Sequence, residues 1–93
     1  MTVLNCIPAH IKSAVKKKSI PIHFMSGKDG TDCECWYVLI CPYAKLREMQ
    51  AAKTHVQPEE YGYVVASGFG KYPDESTRNQ INEEYGFVIK IEL

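Results

Sequence analysis

The chain has 93 residues, 45% of them hydrophobic and 24% charged, and its formal net charge is zero. That length suits one domain with a modest core, and that balance excludes an intrinsically disordered chain. Zero net charge removes any general electrostatic reason to bind nucleic acid or an anionic membrane. The longest apolar run, Trp36 to Cys41, falls far short of the roughly 20 residues that span a bilayer.

Pro8 suits the first turn of a helix, where its missing N–H is not needed, and Ile7, Ile11, Ala14 and Val15 recur at helical spacing. This predicts a helix over 8–18, closed by Lys16 to Lys18 at the negative end of its dipole. Ile20, Ile22 and Phe24 alternate with Pro21 and His23, which predicts an edge strand, because proline cannot donate to a ladder. The polar, glycine-bearing run Ser26 to Asp32 predicts a hairpin. Glu34 to Cys41 is the strongest strand. Trp36, Val38 and Ile40 share one face; Cys35, Tyr37, Leu39 and Cys41 share the other. Both faces are apolar, as in a central strand covered on both sides, or on one side plus a partner surface.

Pro42 then opens a helix whose stripe is Tyr43, Leu46, Met49 and Ala52 or Lys53, running to about Thr54. Pro58 starts a helical turn that closes at Gly62. Tyr63 to Ser67 predicts a second buried strand. Pro73-Asp74-Glu75-Ser76 has the form of a helix start, and Thr77, Ile81 and Tyr85 give that helix its only apolar seam. Phe87, Ile89, Ile91 and Leu93 alternate with Val88, Lys90 and Glu92, which predicts a final strand.

The stretch Glu59-Glu60-Tyr61-Gly62-Tyr63-Val64-Val65 returns almost unchanged as Glu83-Glu84-Tyr85-Gly86-Phe87-Val88-Ile89. Each copy reads as a helix end, a glycine able to take positive φ, and a strand. The expected fold is therefore α+β: a two-layer sandwich on a four-stranded mixed sheet with two or three helices, in the order α-β-β-α-β-α-β. Some of its connections are expected to be parallel.

The most suggestive loop is Ser67-Gly68-Phe69-Gly70-Lys71, lying between a strand and a helix start. Exposed amides there could hold a small anion, with Lys71 adding charge and Ser67 a hydroxyl. Neither the nucleoside-triphosphate loop pattern nor the dinucleotide glycine pattern is complete. Tight structural packing is the competing reading.

Cys33 and Cys35 have a single residue between them, whereas zinc sites prefer two to four, and no second cysteine pair follows at zinc spacing, so neither a metal nor a cofactor is expected. His10, His23 and His55 fall on separate elements. No nucleophile, base and orienting group assemble, so no catalytic residue is named. Lys12, Lys16 to Lys18, Lys45, Arg47 and Lys53 could form a basic face only if the first two helices share one side of the sheet. The generous aromatic content points instead to a protein surface, with Trp36, Val38, Tyr63 and Tyr72 as candidate interface residues and a homodimer as the expected assembly. Four cysteines without a secretory leader suggest a reducing, cytoplasmic location. The function expected is a non-enzymatic binding or regulatory module acting on a protein partner. The alternative is a small anionic-ligand or enzymatic domain using Ser67 to Pro73.

Overall fold

A computed structural model describes residues 4–28, 34–52 and 57–91. The elements run α1 (Ala9–Lys16), β1 (Ile22–Lys28), β2 (Glu34–Ile40), α2 (Tyr43–Ala51), a 3-10 turn (Pro58–Glu60), β3 (Tyr63–Phe69) and α3 (Glu75–Tyr85). Cys33, Lys53 and His55, named above, lie outside the described residues, as does Leu93.

Among the described residues the sheet has three strands in the order β1-β2-β3, with both pairings antiparallel. The expected mixed pairing is thus corrected to an antiparallel one, and the expected fourth strand is not formed among the described residues. Residues 87–91 form no ladder, although Phe87 and Ile89 pack on the core while Val88 and Lys90 stay exposed. Alternation reports only that one side of an extended segment meets apolar atoms. A strand also needs a backbone edge that accepts its amides.

The two-layer arrangement is corrected as well, because helices cover both faces of the sheet. Trp36, Val38 and Ile40 pack in the larger core with Ile11 and Val15 of α1 and Ile81 and Tyr85 of α3. Leu39 and Cys41, on the other face, pack with Met49 and Leu46 of α2. The two-sided apolar pattern of β2 follows from this burial, and β2 is central as its sequence implies. In β3 the register shifts so that Val38 faces Ala66 and Leu39 faces Val64. The extra residue, Val65, turns into the larger core, as a bulge allows. Asn5 ties the N-terminal segment to this bulge: its backbone N–H donates to the Val65 carbonyl and its side-chain amide to the Val64 carbonyl, both at 2.8 Å.

Helix α1 ends in a paired-bond cap. The Lys18 N–H donates to the Val15 carbonyl (3.0 Å) and the Ser19 N–H to the Ala14 carbonyl (2.8 Å). This geometry demands a left-handed residue, and Lys18 supplies it at φ 62°, where glycine is the usual occupant. Left-handed backbone costs an L-residue about 1–2 kcal/mol, partly offset by the chain entropy that glycine would add to the unfolded state. Lys18→Gly is therefore expected to stabilise the fold by about 0.5–1 kcal/mol, raising the melting midpoint by a few degrees. A lower midpoint by circular dichroism would refute this assignment of strain.

Candidate functional site

Helix α2 does not reach along the whole of the strand it covers. Nine helical residues span about 14 Å, whereas seven strand residues span about 23 Å. The second sheet face therefore divides. At the Leu39 and Cys41 end the side chains are fully buried beneath Met49. At the other end Cys35, Tyr37 and Met25 are only half-buried, and Ser67 and Phe69 are exposed. Phe69 is 84% exposed beside the half-buried Cys35 and Tyr37.

Among the described residues this end is left uncovered, as a groove of about 370 Å³. Its floor is Cys35 and Tyr37 of β2 with Ser67, Gly68 and Phe69 of β3, and Pro58 and Glu59 of the 3-10 turn flank it. The register places Phe69 opposite Cys35 and Ser67 opposite Tyr37, so the four side chains share one surface. Tyr37 is held in place by donating its hydroxyl to the Met25 sulfur at 3.3 Å. Burial raises the Tyr37 phenol above its ordinary pKa, with the Cys35 and Cys41 thiols adding to the effect, so it stays a neutral donor at physiological pH. Burial likewise pushes the Cys41 thiol up. Gly68 is explained by packing: a Cβ there would stand 2.9 Å from Cζ2 of the Trp36 indole, which occupies that space.

The loop proposed from sequence is split by this geometry. Ser67, Gly68 and Phe69 belong to β3, while Gly70, at φ 96°, turns the chain and donates its N–H to the Glu34 carbonyl at 3.0 Å. Lys71 lies away from the groove, with its Nζ 5.6 Å from the centre of the Tyr72 ring, and Tyr72 stacks on Phe24 at 6.0 Å. The N-terminus of α3 already has an anion of its own. The Asp74 carboxylate accepts from the Thr77 amide at 2.8 Å. Thr77, through its hydroxyl and then its amide, holds the Asp74 carboxyl below the ordinary range. Of the two, the amide makes the well-formed hydrogen bond, since the Thr77 hydroxyl oxygen meets no partner in hydrogen-bond geometry.

A carboxyl whose pKa is lower folded than unfolded contributes stability above its unfolded pKa, and loses it as pH falls through the folded value. Asp74→Ala is expected to lower the melting midpoint at neutral pH and to flatten its fall on acidification. Asp74→Asn should recover most of the neutral value, since asparagine also caps. An unchanged acid limb in the alanine variant would show that Asp74 is not the titrating cap.

Of the four interface candidates, Trp36 at 2% exposed and Val38 at 0% pack with α1 and α3 in the larger core. Tyr63 remains 43% exposed and Tyr72 half-buried, on β3 and the following loop. The basic face is not built, because α1 and α2 lie on opposite sides of the sheet. Lys12 instead meets Glu84 at 3.5 Å and lies 5.7 Å from the centre of the Tyr85 ring. Tyr85 itself is pushed up to about 12, first by burial and then by Glu84 and Cys6. His23 sits at the covered end of the sheet: its Nε2 donates to the Cys41 carbonyl at 3.1 Å and its ring meets Tyr43 edge-on. Neither His23 nor Lys71 lines the groove.

Sequence reasoning missed Cys35, Tyr37, Pro58 and Glu59 as groove residues. The signal was the mismatch between a seven-residue strand, apolar on both faces, and a helix too short to cover it. Among the described residues, no group of three or more His, Cys, Asp and Glu side chains could hold a metal ion, and no helix is long and apolar enough to cross a membrane. No protein-family model, curated protein or solved structure matches the chain.

Proposed function

We propose that this protein is a non-enzymatic binding module that docks a segment of a partner protein on the uncovered end of its second sheet face. The observation that carries the reading is Phe69, an aromatic side chain 84% exposed beside the half-buried Tyr37 and Cys35. Aromatic anchors at the centre of a patch contribute most of the energy of protein interfaces. Burying Phe69 and the Tyr37 ring removes apolar area from water and leaves the Tyr37 hydroxyl in its existing bond to Met25. The free thiols Cys6, Cys35 and Cys41 suit a reducing compartment, and a cytoplasmic location goes with this proposal.

The alternative, a small anion on Ser67 to Lys71, has less support. Gly70 already donates to Glu34, Asp74 already caps α3, and Glu59 is the charged residue lining the groove. Inorganic phosphate moving the amide signals of Gly68 to Lys71 would favour it.

The docking reading is tested with a partner captured on the wild type, identified, and then titrated against purified variants. Phe69→Ser is expected to weaken binding by about tenfold or more. Val88→Ser, at an exposed position away from the groove, should leave the affinity within about twofold. Equal affinities for wild type and Phe69→Ser would overturn the reading.

A further inference from the structure

We infer that the segment seated on this groove is basic as well as apolar, presenting an arginine or lysine toward Glu59; the inference rests on the docking reading above. Among the described residues Glu59 is the charged side chain on the groove wall, and Glu60 follows it, exposed, on the same 3-10 turn. Neither carboxylate has an ion-pair partner among the described residues. The ion pairs there are Lys12 with Glu84 and Lys45 with Glu48, both away from the groove. The nearest cation in sequence to the groove strand, Lys71, is turned to the opposite side, against Tyr72.

A partner's acidic segment would meet Glu59 with like charge and, among the described residues, no compensating cation on the groove wall, whereas a cationic head would find a carboxylate at the edge of an apolar floor. The floor suits the rest of such a residue. Long aliphatic stems lie along apolar surface while the head stays hydrated, and a guanidinium stacks on aromatic faces such as Phe69 and Tyr37.

The test uses two short fluorescein-labelled peptides, one alternating leucine with arginine, the other alternating leucine with glutamate, titrated by fluorescence anisotropy. The arginine peptide is expected to bind the wild type about threefold to fivefold more tightly than the glutamate peptide at low ionic strength, as partly exposed charge pairs do. That preference should shrink with added salt and vanish in Glu59→Gln, which keeps the shape of the wall. Phe69→Ser should weaken both peptides. A preference that survives in Glu59→Gln, or tighter binding of the glutamate peptide, overturns the basic occupant. If Phe69→Ser leaves both affinities unchanged, the docking reading itself fails. Sedimentation of the wild type showing a dimer that Phe69→Ser dissolves would make a second copy of this chain the occupant, and would overturn the inference.

Discussion

Gly62→Ala is expected to lower the melting midpoint by about 10 °C or more. The Cβ it adds would strike the Ile40 carbonyl group and stand 2.7 Å from the Cys41 Cβ. Ile40 ends the central strand and Cys41 follows it directly, and the Ile40 backbone, held in the ladder, cannot step aside cheaply. Overpacking of this kind costs about 1–3 kcal/mol, and each kcal/mol moves the midpoint of a domain this size by about 4–8 °C. Gly27→Ala is the matched control, because a Cβ there meets nothing within 4 Å. Thermal melts of the two variants should differ widely. Near-identical midpoints would show that the approach of Gly62 to β2 is looser than described.

Ile81→Ala is expected to cost about 2–5 kcal/mol, a large share of the stability available to a domain of this size. Helix α3 is mostly polar and holds to the sheet through Thr77, Ile81 and Tyr85, spaced four residues apart on one face. Ile81 is the fully buried apolar member of that seam, so its truncation leaves a cavity between α3 and the sheet. Ile81→Val should cost only about 0.5–1.5 kcal/mol, giving a graded series in urea denaturation. The loss should appear as a lower midpoint with an unchanged slope. A cost below about 1 kcal/mol for the alanine variant would mean that α3 is not anchored at this point.

The two prominent glycines show how far identical letters can mislead. Gly86 ends α3 in the left-handed region, at φ 67°, as the repeated motif implies. Gly62 stands in the same word of the sequence but has no positive φ; it is a glycine because β2 passes too close for a side chain. The expected second helix-to-strand corner also fails after Gly86, where residues 87–91 pack on the core without joining the ladder. Local sequence carries the preference for glycine. The reason for that preference lies in what passes nearby.

The groove shows the same division. Ser67, Gly68 and Phe69 stood out in the sequence, but as a polar anion loop. Their neighbours Cys35 and Tyr37 were read only as the second apolar face of a central strand. Which end of that face stays open depends on the length of α2 and on where the chain returns through the 3-10 turn, and neither is written in the strand.

Periodicity established the central strand and the three-residue seam of α3, Pro21 the edge position of β1, and the Pro73 to Ser76 signal the start of α3. Each of these is a property of residues within or just before one element, where local geometry decides which side chains share a face and which amides can donate. Folding in three dimensions decided the number of strands, the side of the sheet each helix takes, the burial of Trp36 and Val38, and the exposure of Phe69. Those outcomes depend on contacts between segments far apart in the chain, and an element's own pattern says only that one side wants cover, not what will cover it.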